Sequence, residues 1–279
     1  MKRLPLILLV LLSLTACAHK ADGPFTGKEL TVFAAASLQE ALTEIGELYQ
    51  KDRPNVTLVF NFDSSGTLKT QIEEGASCDL FLSAGRKQMD ALDASAASAA
   101  GAGSPEERGD EALDFVLPDT RVDLLENQVV LAVPEGNPAG IHSFYELSAA
   151  LEAGEVLLAV GNSDVPVGQY TQRIFAFCGL DEAALNAAGV LTYGSNVKEV
   201  VTQVAEGSVD CGIIYATDAR AAGLEVVDAA AADVCGQVIY PAAVLTCGAN
   251  QDGARDFLAF LRAGAAGEVF ARMGFTHLG

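Results

Sequence analysis

From about residue 29 onward, short apolar runs alternate with amphipathic stretches, and no other feature constrains the fold of this 279-residue chain so tightly. Residues 30–35 read as a strand. Beyond them Leu38, Leu42, Ile45 and Leu48 recur at three- and four-residue spacing, the period of a helix, with Ser37 as its expected N-cap. Strands at 56–62 and 80–83 follow, each succeeded by a helical pattern, at 66–74 and through Met89 and Leu92. A second series has strands at 127–133, 156–160, 190–193 and 211–215, with helices at 168–178 and 196–206 and a helical turn at 217–222. After a short strand at Val226-Val227 and a connection at 229–232 come a strand at 237–245 and helices at 253–262 and 266–273. Strands alternating with helices of this length predict an α/β fold with largely parallel sheets covered by helices on both faces. Two such series with a late strand predict two lobes joined by more than one crossing. Residues 94–111 hold no large apolar side chain and are expected to be a surface insertion without chemistry.

The first residues belong to targeting rather than to the fold. Lys2 and Arg3 precede an apolar run at 4–12, and Leu14-Thr15-Ala16-Cys17 closes it with small residues and a cysteine. The run is too short to span a membrane and has the layout of a secretory signal. Its end resembles the lipobox of bacterial lipoproteins, which implies cleavage before Cys17 and acylation of that residue. The expectation is an exported protein, lipid-anchored outside the cytoplasmic membrane.

Composition narrows the partners. Half of the residues are apolar, enough for a substantial core, and the net charge of −20 repels nucleic acid and anionic lipid. Any anion bound must be held by local groups against that field. Besides Cys17 there are Cys78, Cys178, Cys211, Cys235 and Cys247, an odd number with no CxxC spacing, and none of the three histidines is close in sequence to any of these five. Disulfides are compatible with export, but a zinc site is not expected.

The strand-to-helix junctions carry the chemistry. They read Ala34-Ala35-Ala36-Ser37, Asp63-Ser64-Ser65-Gly66-Thr67, Pro166-Val167-Gly168-Gln169-Tyr170, Gly194-Ser195-Asn196-Val197 and Tyr215-Ala216-Thr217-Asp218. Each puts free backbone N–H groups, often beside a hydroxyl, at the positive end of a helix, where open α/β sheets face their ligand. Any one serine there is accounted for as a cap. Repetition in both series is what suggests an anion site built without a full positive charge.

In order, Ala34-Ala35-Ala36-Ser37-Leu38, Phe62-Asp63-Ser64-Ser65-Gly66-Thr67-Leu68, the run at 78–84, Val165-Pro166-Val167-Gly168-Gln169-Tyr170, the run at 212–219, Tyr240-Pro241-Ala242-Ala243-Val244 and the run at 270–275 resemble periplasmic molybdate-binding proteins, the receptors of molybdate ABC importers. That resemblance implies a type II periplasmic-binding-protein fold, with lobe 1 at 29–125 and 234–279, lobe 2 at 126–233, and a tether at 17–28 after a signal peptide at 1–16. It implies hinge strands near 128–133 and 238–244 and closure over the ligand. It also implies that Ser37 and Ser65 bind the oxyanion through side chain and N–H, Val167 and Val197 through N–H, and Tyr215 through its hydroxyl. Asp63 beside this set is expected to face solvent or cap a neighbouring helix.

The protein so read is a monomeric receptor for molybdate or tungstate that serves an ABC importer permease, with no catalysis, no cofactor and no metal bound directly by side chains. Sulfate or phosphate would suit the same junctions. An exported serine hydrolase finds little support: there is no GxSxG, and His19, His142 and His277 fall in a linker, a loop and the tail.

Overall fold

Residues 29–99 and 114–279 are described by a computed structural model. The signal peptide, Cys17 and all of the insertion beyond residue 99 lie outside the described residues. The chain opens with β1 (Glu29–Ala35), a 3-10 turn (Ala36–Leu38), α1 (Gln39–Asp52), β2 (Thr57–Asp63), α2 (Ser65–Glu73), β3 (Leu80–Leu82), α3 (Arg86–Ala91), α4 (Ala94–Ala99) and β4 (Val122–Asn127). It crosses into β5 (Val129–Val133), α5 (Phe144–Ala153), β6 (Leu158–Gly161), α6 (Pro166–Cys178), α7 (Glu182–Ala187), β7 (Leu191–Gly194), α8 (Val197–Ala205), β8 (Cys211–Tyr215), α9 (Ala216–Ala222), β9 (Glu225–Ala229) and α10 (Ala232–Cys235). It then returns as β10 (Val238–Val244), α11 (Gln251–Leu261), α12 (Gly264–Met273) and β11 (Thr276–His277).

Two sheets result, in the orders β11-β4-β10-β3-β1-β2 and β7-β6-β8-β5-β9. Each is mixed. The βαβ units pair in parallel, β1 with β2 and β3, and β6 with β7 and β8. The strands that carry the chain into and out of each lobe, β4, β5, β9 and β10, pair antiparallel. Every residue of β5, β8 and β10 is buried, as expected for central strands covered on both faces and for their unbroken apolar sequences.

Register decides where the junctions end up. Ala35 pairs with Asp63 and Ala34 with Leu82, so the turn bearing Ser37, the start of α2 and the Ser83-Ala84 bend leave the first sheet at one level. Gly161 pairs with Gly194, which sets the approaches to α6 and α8 side by side on the second sheet. Gly168 is required here. A Cβ on it would fall 2.0 Å from the Asn162 carbonyl and 2.4 Å from that of Gly161, because the first turn of α6 lies directly on the end of β6.

Several expectations need correction. Ser37 is not an N-cap: α1 follows the 3-10 turn with Leu38 at its cap position and no side-chain cap. The strand expected at 127–133 is two strands, because the chain passes between sheets at Gln128 and β4 belongs to the first sheet. Helices α5 and α7, capped by Ser143 and Asp181, were not anticipated. The head of the insertion is helical: Asp93 Oδ1 accepts from the Ser95 and Ala96 amides as α4 begins, and Arg121 pairs with Asp93. The five cysteines beyond Cys17 are free thiols. Burial pushes the Cys78 thiol up, and that of Cys211 to about 12, so neither is a ready nucleophile.

Candidate functional site

Ser37, Ser65, Val167, Val197 and Tyr215 lie where the two sheets face each other, and all five are buried; Ser65 and Val167 are 0 % exposed. The facing surfaces are in contact. A Cβ on Gly66, in the first turn of α2, would come 2.2 Å from the Asp164 carbonyl before α6. Asn196, at the N-cap of α8, donates from Nδ2 to Asp63 Oδ1 at 3.4 Å. Lys198 Nζ lies 2.8 Å from each carboxylate oxygen of Glu40 on α1. A ligand can reach the five residues only if the lobes part.

The start of each helix keeps its first amide free. Ser64 caps α2 by accepting from the Thr67 amide, and Asn196 caps α8 by accepting from the Glu199 amide. The Ser65 and Val197 amides are left unclaimed by those caps. Helix α6 has no side-chain cap and begins with Pro166, which has no N–H, so Val167 is its first donor.

The hydroxyls are arranged to the same end. Ser65 Oγ accepts from the Ala84 amide at 2.9 Å, which leaves its own proton free. Ser37 Oγ is 2.9 Å from Tyr240 Oη, and Asn127 Nδ2 donates to Tyr240 Oη at 3.2 Å and to Thr217 Oγ1 at 2.9 Å. With Asn127 donating to the Tyr240 oxygen, the phenol proton can pass to Ser37 Oγ and the Ser37 proton is free for a ligand. Tyr215 is different. Its hydroxyl is fully buried and makes no hydrogen bond of good geometry, with the Tyr240 hydroxyl its close polar neighbour, a costly state for an O–H group. Its ring lies edge-on to Tyr240 at 5.8 Å and to Tyr170 at 6.4 Å. Burial foremost, then the neighbouring phenols, raises its pKa well above the ordinary tyrosine value, so it stays a neutral donor.

Charge at the seam is compensated. Burial works against the Lys198 ammonium, but Asp218, with Oδ1 at 2.9 Å, and Glu40 outweigh it and keep the pKa raised. Burial raises Asp218 to about 6, against the pull of Lys198. The lysine is thus spent on two carboxylates and is not left over for a ligand. Asp63 accepts from its own Ser64 amide at 2.7 Å as well as reaching Asn196, so it stitches the seam rather than pointing freely into solvent.

Tyr240, Asn127 and Lys198 were given no role from the sequence. Tyr240 stood in a recognised run, and a tyrosine inside an otherwise apolar strand signals a buried hydroxyl that needs a partner. Asn127 and Lys198 carried no such signal. Among the described residues no group of three His, Cys, Asp or Glu side chains is placed to hold a metal ion, and no helix is long and apolar enough to cross a membrane.

Two α/β lobes with a double crossing and helix starts converging on the seam define a two-lobed binding protein of type II architecture. The chain belongs to the family described as bacterial extracellular solute-binding protein, whose profile matches residues 30–276; it is a solute-binding protein and not an enzyme. It is 32% identical over 248 residues to the putative ABC transporter substrate-binding lipoprotein YvgL of Bacillus subtilis, covering 88% of this chain and 86% of that one. It is 33% identical over 254 residues to the molybdate-binding protein ModA of Escherichia coli, covering 89% of each. Among solved structures it resembles the substrate binding domain of a putative molybdenum ABC transporter from Clostridium difficile, at 32% identity and TM-score 0.61, with 90% and 99% of the two chains covered. The periplasmic molybdate-binding protein of Azotobacter vinelandii shares the fold, with TM-score 0.71 at 20% identity over 88% and 98% of the chains.

Proposed function

We propose that this chain captures molybdate, and tungstate with it, between its lobes and delivers the anion to an ABC importer. The observation that carries the reading is the Tyr215 hydroxyl, buried without a well-formed hydrogen bond beside hydroxyls and helix-start amides that have donors to spare. A tetrahedral oxyanion supplies the missing acceptors: Ser37 and Ser65 donate through hydroxyl and amide, Val167 and Val197 through amides, and Tyr215 through its phenol. Relatives of about 30% identity that are named molybdate-binding proteins support the choice of anion.

Rigid donors spaced for the larger tetrahedron bond sulfate or phosphate poorly and leave polar groups unpaired, so size is the filter. The moving bodies are the lobes built on the two sheets. Since β4 pairs in the first sheet as far as Asn127 and β10 starts there at Val238, the hinges fall at Gln128 and at 236–237, rather than at 125/126 and 233/234 or within the central strands 128–133 and 238–244. The protein acts as a monomer, anchored outside the membrane through a lipid on Cys17. The likeness to a relative named a lipoprotein supports that anchor.

Calorimetric titration of the chain lacking residues 1–17 with molybdate, tungstate, sulfate and phosphate tests the reading. One-to-one binding of the first two and silence from the others is expected. Tight sulfate or phosphate binding with no molybdate response overturns the choice of anion.

A further inference from the structure

A protein of net charge −20 must draw a doubly negative anion towards itself, and the buried donors act only at contact. The structure offers a local remedy. Beside the buried site is a cavity of about 270 Å³ on the seam, lined by Gly85, Arg86 and Lys87 from lobe 1, by Pro166, Tyr170 and Arg173 of α6, and by the crossover residue Gln237. It shares a wall with the site: Pro166 precedes Val167, the Tyr170 ring meets that of Tyr215, and Gly85 follows the Ala84 amide bound to Ser65. Three cations line it and no carboxylate does, although acidic residues outnumber basic ones 37 to 17 in the chain.

Arg86 is partly neutralised, with Nη2 2.5 Å from Asp123 Oδ2. Arg173 donates to the Cys235 carbonyl at 2.8 Å and lies over the Tyr170 ring, so its position is fixed while its charge has no carboxylate against it among the described residues. Lys87 is exposed and forms no ion pair among the described residues. Besides Asp123, the acids Glu74 and Asp164 line an adjoining groove that shares Lys87 and Gln169 with this cavity.

We infer that Lys87 and Arg173, with Arg86, form a cationic flank of the cleft that captures the divalent oxyanion and steers it to the buried donors. This rests on the oxyanion reading above. The flank is divided between the lobes, Arg86 and Lys87 on one and Arg173 on the other, so it borders the cleft when the lobes part. Because it stands outside the donor set, it acts on the rate of arrival and not on how firmly the closed site holds.

The test is stopped-flow mixing with molybdate, read by tyrosine fluorescence. The chain has no tryptophan, and three of its six tyrosines, Tyr170, Tyr215 and Tyr240, surround the site. Lys87→Gln and Arg173→Gln are each expected to lower the association rate constant by roughly 3-fold or more at ~0.02 M salt, with dissociation unchanged and the difference gone at ~0.5 M salt. Arg173→Lys keeps the charge and is expected to keep the rate. Arg255→Gln changes the net charge equally, from an exposed position on α11 outside the cavity, and is expected to leave the rate unaltered. Should Arg173→Gln fail to fold, Lys87→Gln carries the test alone. Unchanged association in Lys87→Gln, an equal effect in Arg255→Gln, or an effect confined to dissociation overturns the capture flank while leaving the oxyanion site intact. Absence of any molybdate binding in the unaltered protein overturns both.

Discussion

Replacing Tyr215 by Phe removes one oxygen and should move two measurable quantities in opposite directions. In the closed, empty form that oxygen is buried beside the Tyr240 hydroxyl without a hydrogen bond of good geometry, and a poorly satisfied buried hydroxyl costs up to about 1–3 kcal/mol. Phe fills nearly the same volume among Tyr170, Tyr240 and the strand β8, so no cavity opens to offset the gain. The empty variant should therefore be as stable as the parent or more so, by up to about 2 kcal/mol, a rise of roughly 4–8 °C in Tm for a chain of this size. With the anion bound, the same oxygen donates a charge-assisted hydrogen bond of about 1.5–3 kcal/mol, so affinity should fall roughly 10- to 150-fold. Scanning calorimetry of the empty protein and titration with molybdate give the two numbers. A variant that melts lower when empty, or that binds molybdate as tightly as the parent, refutes the assignment of Tyr215 as a donor waiting for an anion.

Closure itself can be blocked. Gly66→Ala puts a methyl 2.2 Å from the Asp164 carbonyl across the seam but meets nothing as close within its own lobe, so the fold should survive while molybdate affinity drops at least 100-fold. Small-angle scattering should then show no compaction on adding the anion. Ser65→Ala should lose affinity by about 1.5–3 kcal/mol and also stability, because the Ala84 amide it serves is left unpaired; Ser37→Ala should lose affinity with less effect on stability, since Tyr240 keeps Asn127. Asp218 titrates near 6 when folded and near 4 when unfolded. Its raised pKa gives stability that is present below about pH 4 and lost as pH rises through about 6. Urea melts should show the stability of the parent relative to Asp218→Asn falling by on the order of 2 kcal/mol between pH 4.5 and 7; a pH-independent difference contradicts it.

The αβ alternation and the lobes could be read in the sequence because central strands such as Cys211–Tyr215 and Val238–Val244 are buried on both faces and so are written as unbroken apolar runs. β4 carries little strand signal because Val122–Asn127 neither alternates nor forms an apolar run, mixes in Asp123 and Glu126 around Leu124-Leu125, and runs into β5 with only Gln128 between. The junction residues were legible as helix starts. Their partners were not. Ser37 meets Tyr240 across 203 positions and Lys198 meets Glu40 across 158, contacts fixed only by the return of β10 and by the meeting of the lobes. Ser37 shows the limit most clearly: local pattern made it a cap, whereas the 3-10 turn frees its hydroxyl for another strand.

The central claim is that one oxyanion sits among donors from both lobes with no cation touching it. A crystal of the molybdate complex, measured at the molybdenum absorption edge, tests this most directly. The account predicts a single strong anomalous peak within hydrogen-bonding reach of Ser37, Ser65, Tyr215 and the Val167 and Val197 amides. A peak held instead by Arg86, Lys87 or Arg173 with the seam empty contradicts it.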